Sequence, residues 1–329
     1  MKKHFEEIDI LKGIAIVMVL LGHAVIRFPV NLHDVAWTNA IYNWVETTHM
    51  PLFFLVSGFC FSYRGKYSEY IMKKIKRILI PFLFFNLIDS VPRQLLSFLV
   101  NRPKSIKESI ASIVLYGGEY WFLYSLFVIF LFFPLFSEII KKYQFAQVIA
   151  IVICVSLKFM TFLPGIFLIR RTTFHLLFFV SGYILKQYFN IEKASSFIES
   201  KKDISIGGIF LLFSVWVLLI PCYLNHHTPL IGIPLSCIGI TWSYLMTVIF
   251  IKGRVRKLFV GFGKYSLQLY LLNGFTLVFA RTLVIKVMHC NVPFIILMFN
   301  MLATLFGSYL LIKYMLSRFK STRFICGIV

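Results

Sequence analysis

Apolar stretches of about twenty residues recur along the whole chain with short polar segments between them, the pattern of repeated membrane crossing by α-helices. Apolar length places ten candidate spans at 9–28, 44–63, 78–99, 121–140, 145–163, 174–190, 204–224, 230–251, 265–287 and 293–316. Short strands of alternating polarity, the mark of a membrane β-barrel, are not seen. The polar segments alternate in charge. Those at 1–3, 64–77, 141–142, 186–202, 252–264 and 313–323 are rich in Lys and Arg, whereas 29–43 and 222–229 nearly lack them. The positive-inside rule then puts both termini in the cytoplasm. The pattern predicts an all-α, polytopic integral membrane protein of about ten transmembrane helices, organised as a single domain over 1–329. Trp44, Tyr63, Tyr120 and Trp121 stand near span ends, as in an interfacial aromatic belt.

Composition agrees. Apolar residues make up 59% of the chain and charged residues 14%, with a mean hydropathy of +0.82, far from soluble averages. The first apolar segment opens with Asp9 and Lys12 and has no small-residue cleavage site, so it reads as a retained helix rather than a signal peptide. A net charge of +21 raises nucleic acid as a partner. Its concentration in alternate loops instead fits topology control and contact with membrane lipids, and no nucleic-acid partner is expected. The six cysteines form no CxxC pair, so neither a disulfide framework nor a metal site is indicated. Walker, dinucleotide-binding and HExxH motifs are missing, and no internal repeat is evident. The abundance of Lys, Ile and Phe hints at an AT-rich bacterial genome, and the expected location is the bacterial cytoplasmic membrane.

Ionisable residues inside spans are costly in lipid and therefore mark candidate sites. The first span carries Lys12 and His23, eleven positions apart. At about 100° per residue that is about three turns, so both share one helix face about 16 Å apart along the axis. One helix thus offers a cation near the inner surface and an imidazole toward the outer one. Asp9, three residues before Lys12, is placed to pair with it. The second span enters with Glu46 and His49 on one face, and Pro51 is expected to loosen its backbone. Asp89 and Arg93 stand near the outer end of the third span, Glu119 precedes Trp121 at the entry of the fourth, and Arg170, Arg171 and His175 open the sixth. Arg102, Lys104 and Lys107 are further outer cations that depart from the charge rule. A histidine with a carboxylate partner suits general-base work on a hydroxyl, and arginines with aromatics suit a sugar or an anionic sugar phosphate. The inner cations, Lys12 included, would attract a nucleotide-phosphate donor or, equally, anionic lipid headgroups.

Four blocks in order carry a resemblance. The run Ile8-Asp9-Ile10-Leu11-Lys12-Gly13 followed by Gly22-His23 resembles the opening motif of the membrane-bound acyltransferase family 3, ten-helix O-acyltransferases that include the fucose 4-O-acetylase-like group. His49-Met50-Pro51-Leu52-Phe53-Phe54 through Ser57-Gly58-Phe59 is similar to its second block, and Tyr120-Trp121-Phe122-Leu123 to its third. Gly263-Lys264-Tyr265-Ser266-Leu267 with Tyr270-Leu271 resembles the ninth-helix signature. The chain departs from the pattern at two places. Lys12 stands where the family often has Arg, keeping the charge but losing the planar fork. Asn273 stands where a histidine is frequent, and is given no role.

The resemblance implies transfer of an acetyl group from cytoplasmic acetyl-CoA, a substrate rather than a bound cofactor, to a hydroxyl of an extracytoplasmic sugar or cell-envelope polysaccharide. His23 is then the central catalytic residue, as general base or transient acyl carrier. Lys12, fixed by Asp9, binds donor phosphates. Glu46 and His49 orient His23 or the acceptor, while Trp121, Glu119, Arg170, Arg171 and His175 face the acceptor. A rival reading is a secondary transporter or flippase for a lipid-linked sugar, which would also place polar groups at both depths; a non-catalytic membrane scaffold is a third. The acceptor and the oligomeric state, a homo-oligomer included, stay open.

Overall fold

The structure, a computed structural model, describes residues 5–95, 105–160, 162–226 and 228–328; the side chains of 91–95 and of Asn225 are outside that set. Among the described residues every regular element is helical. The chain divides into two compact units. One comprises Met1–Ser57 with Tyr188–Met315, the other Gly58–Gln187 with Leu316–Val329.

Five helical segments are long and apolar enough to cross a membrane: Ile106–Phe132, Lys202–Leu224, Pro229–Ile249, Ser266–Val287 and Pro293–Leu316. The protein is accordingly a multi-pass membrane protein. Large apolar side chains on the second of these segments, such as Leu218 (76% exposed) and Phe210 (66%), face outward as lipid-contacting residues do. The first two helices fall short by composition, not by length. Helix α1 (Glu6–Ala24) carries Glu6, Glu7, Asp9 and Lys12, and α2 (Ala36–Cys60) carries Asn39, Asn43, Glu46 and His49. The helices that bear the candidate chemistry are the ones it makes polar.

In the first unit α1 runs against α13 (Gly253–Lys264) over much of its length and also meets α12 (Pro229–Ile249), α14 (Ser266–Thr282) and α15 (Pro293–Leu311). Helix α11 (Lys202–His226) packs on α12, and α14 on α15. The α1–α13 contact is made by glycines. A Cβ on Gly13 would sit 2.4 Å from the Phe259 carbonyl oxygen, and one on Gly263 only 1.8 Å from that of Asp9. Backbone therefore touches backbone, as small residues allow in membrane helices. At the start of α1, Arg256 donates to Glu6 Oε2 and Glu7 Oε1, each at 2.9 Å. Burial opposes the Arg256 charge, but these two bonds outweigh it and hold its pKa above the ordinary value.

The second unit holds α3 (Tyr67–Lys74), α4 (Ile80–Leu95), α5 (Ile106–Tyr116), α6 (Trp121–Phe132), α7 (Pro134–Lys142), α8 (Gln144–Phe159) and α9 (Ile169–Tyr188), and rings from α3, α6 and α9 contribute to an aromatic core. Phe61 sits at its centre, with the rings of Tyr70, Phe130, Phe133, Phe179 and Tyr183 within 6.1 Å. Gly117, at φ 71°, ends α5 in the left-handed region, and Leu168 and the α6 backbone fill the space a side chain would need.

Several boundaries differ from the apolar pattern. Helix α1 ends at Ala24 rather than 28: Val25 has left helical geometry, and Pro29 disfavours helix at Phe28 further on. His23 thus lies in the last turn of α1. Helix α2 begins eight residues before the apolar run and passes through Pro51 without a break. The stretch 121–140 is two helices, with Pro134 opening the second. Gly263→Ala should lower the melting temperature of the detergent-solubilised protein, the clash with Asp9 costing about 1–3 kcal/mol. Gly207→Ala, in α11 with nothing within 4 Å of its added methyl, should be neutral or stabilising by up to about 1 kcal/mol.

Candidate functional site

The first unit assembles the groups of α1 and α2. At the near end of α1, Lys12 Nζ lies 3.4 Å from Asp9 Oδ1, one turn back on the same helix. The lysine side chain is 30% exposed and the carboxylate 6%, so the acid is the buried anchor and the cation the reachable partner. At the far end His23 is exposed. Gly22 beside it lets α2 come close: an added Cβ would meet Val45 Cγ2 at 3.0 Å and Glu46 Oε1 at 3.7 Å. Glu46 consequently comes within electrostatic reach of His23, and also of His33, Tyr42 and Tyr223. His33 and Tyr42 meet edge to face at 4.5 Å, and His33 Nε2 lies 3.1 Å from the Val25 carbonyl oxygen. Buried His49 donates from Nδ1 to the Val45 carbonyl, which fixes that tautomer and leaves Nε2 3.9 Å from Glu46 Oε1. The bond to its own helix fixes the ring of His49 beside Glu46.

Helix α2 is itself anchored by α11 and α12. Trp216 Nε1 donates to Thr47 Oγ1 at 3.1 Å, Ser236 Oγ donates to the Thr47 carbonyl at 2.8 Å, and Trp44 packs edge-on against Trp216 and Trp242. Thr47 lies between Glu46 and His49 in the sequence, so these bonds fix the rotation of the helix that presents both.

The second unit gathers three of the candidate acceptor residues. The Trp121 ring stacks on His175 at 5.7 Å, and the Arg171 guanidinium lies 5.1 Å from the same ring. Arg171 and His175 are one turn apart on α9, so the indole spans both. A guanidinium stacked on a ring leaves its in-plane N–H donors facing outward. Arg170 and Glu119 are exposed, and Lys107 is exposed on α5. Asp89 is half-buried on α4; the Arg93 side chain, Arg102 and Lys104 lie outside the described residues.

Two groups were not singled out from the sequence. One is the set His33, Tyr42 and Tyr223 around Glu46, whose only signal was titratable side chains at span ends on the His23 side. The other is Lys158 of α8, only 5% exposed, with Nζ 3.8 Å from the centroid of Phe174 and 4.5 Å from that of Phe178. A lysine inside the apolar run 145–163 was signal enough to find it.

The helical fold and the ionisable groups at span ends define a membrane protein built around polar chemistry. A family model described as an acyltransferase domain, acyltransferase family 3, matches residues 5–313, and the chain belongs to that family. It is 25% identical over 226 residues to the nodulation protein NolL of Sinorhizobium fredii, an alignment that takes in 66% of this chain and 56% of that protein. It is also 25% identical over 127 residues to NolL of Mesorhizobium japonicum, covering 37% of this chain and 33% of the relative. The chain thus spans about half or less of the length of the curated relatives it matches. No solved structure matches it significantly.

Trp216→Phe keeps an aromatic ring, though a smaller one, and removes the donor to Thr47, leaving a buried hydroxyl short of one bond. The expected cost is about 1–2 kcal/mol, read as a lower thermal midpoint in detergent, with Phe213→Leu as a packing control.

Proposed function

We propose that the protein is a membrane-embedded O-acyltransferase, a single transmembrane domain of ten spans with both termini in the cytoplasm of a bacterial cell. It moves an acetyl group from cytoplasmic acetyl-CoA to a hydroxyl of an extracytoplasmic sugar or cell-envelope polysaccharide. The observation that carries this reading is α1 itself. Its Asp9–Lys12 pair and its His23–Glu46 neighbourhood stand at opposite ends of one helix, so an anion site and a proton-handling site are joined by about 16 Å of rigid backbone. Membership of the acyltransferase family supports the reaction class.

In this reading Lys12 binds donor phosphates and Asp9 orients it. His23 takes the proton of the acceptor hydroxyl as that oxygen attacks the thioester carbonyl. Glu46 stabilises the imidazolium that forms, and His49 helps to orient His23 or the acceptor. The carbonyl–sulfur bond breaks, and the leaving thiolate takes the proton that His23 gained, releasing free CoA and restoring the neutral imidazole. In the second unit Trp121, Arg171 and His175, with the exposed Arg170 and Glu119, are the candidate acceptor contacts.

Labelled acetyl-CoA and a mixed pool of envelope glycans, offered to the protein in nanodiscs, test the reading. Wild type should release CoA and label a glycan. His23→Ala should lose at least about 100-fold in rate while still binding donor, the scale of a lost general base; Lys12→Ala should lose donor binding. Label trapped on His23 would make it an acyl carrier instead. A wild type that neither binds acetyl-CoA nor releases CoA would sink the enzyme reading in favour of transport of a lipid-linked sugar.

A further inference from the structure

Helices α1 and α13 run parallel. Arg256, near the start of α13, bonds Glu6 and Glu7 at the start of α1, and further along both helices Phe259 and Gly263 meet Asp9 and Gly13. That alignment fixes what each helix shows on its flanks. On α13, at about 100° per residue, Lys257 lies about 100° and Lys264 about 80° round from Arg256, so the two share a stripe about 10 Å long. Arg254 lies about 160° round, on the far side. On α1, Lys12 lies about 60° and His23 about 40° round from Asp9, in the opposite rotational sense. For two parallel helices facing each other, opposite senses of rotation lead to the same flank. Lys12, Lys257, Lys264 and His23 therefore line one side of the α1–α13 pair.

Of the other cations on this segment, Arg256 is held by the two glutamates and Lys252 pairs with Glu199, while Arg254 is exposed on the far side. Lys257 and Lys264 are exposed and form no ion pair among the described residues. By height along the pair, Lys257 is level with the first turn of α1 and Lys264 with the turn just beyond Lys12.

We propose that Lys257, Lys12 and Lys264 form a rail for the phosphates of the acyl donor, an inference that rests on the donor reading above and extends it to α13. Coenzyme A carries a 3′-phosphate and a diphosphate. Lys257, farthest from His23, takes the 3′-phosphate, while Lys12 and Lys264 take the diphosphate, directing the thioester along the flank toward His23. The glycine contacts of Gly13 and Gly263 are what bring the lysines of two helices into one row.

Calorimetric titration of CoA and of 3′-dephospho-CoA into the protein in nanodiscs tests this. Lys264→Met should weaken both ligands about tenfold, the scale of one charge-assisted contact, and Lys264→Arg should restore binding. Lys257→Met should weaken CoA by a similar factor but leave 3′-dephospho-CoA unchanged. Arg254→Met should bind both within about twofold of wild type. Equal weakening by Arg254→Met would reduce the effect to bulk charge and overturn the rail. So would wild-type affinity in Lys264→Met, or a loss in Lys257→Met that 3′-dephospho-CoA shares. If Lys12→Ala loses CoA while the α13 variants do not, the donor reading stands and the rail falls. If wild type binds no CoA, both fall. Unchanged melting temperatures show that the variants are folded.

Discussion

A methyl group on Gly263 would lie 1.8 Å from the carbonyl oxygen of Asp9, and one on Gly13 2.4 Å from that of Phe259. Nothing larger than hydrogen fits at that crossing, and most of what the first unit presents follows from it. The two backbones approach closely enough for Arg256 to reach both Glu6 and Glu7, which neutralises the acidic start of α1. The cations of α13 come alongside Lys12, and Asp9 is buried at the contact as a fixed partner for that lysine. In lipid, where no hydrophobic force draws helices together, such close packing is a main source of helix association.

A second close approach does the same work at the other end of α1. Gly22 admits Val45 and Glu46, so the carboxylate stands by His23 rather than a side chain's width away. Its helix is held in rotation by the bonds from Trp216 and Ser236 to Thr47. Polar groups are expensive in an apolar surrounding unless bonded, so a network that satisfies them also makes their geometry rigid. The Trp121 stack follows another logic, in which one aromatic face holds the exposed Arg171 cation and the ring lies against His175.

Local pattern carried a good deal of this. The apolar runs that mark α11, α12, α14 and α15 were readable because lipid demands about twenty apolar residues from any helix that crosses it. The pairing of Asp9 with Lys12 was readable because both lie on one helix, three residues apart. The early end of α1, the early start of α2 and the break at Pro134 were less so, since hydropathy measures burial in lipid and not where a helix begins. Glu46 was visible as a span-end carboxylate, whereas His33, Tyr42 and Tyr223 around it come from a loop and two helices.

Sequence alone therefore determined the class of protein, the helices that cross the membrane most plainly, and the eleven-residue spacing that sets Lys12 and His23 on one face. Each is a property of a single helix, governed by fixed rise and rotation per residue. The tertiary structure decided which helices touch. It put α13 against α1 through two glycines, placed Glu46 by His23 through a third, and stacked Trp121 on α9. Those contacts join residues tens to hundreds of positions apart, and whether they form turns on clearances of a few tenths of an ångström, to which no periodicity in the chain is sensitive.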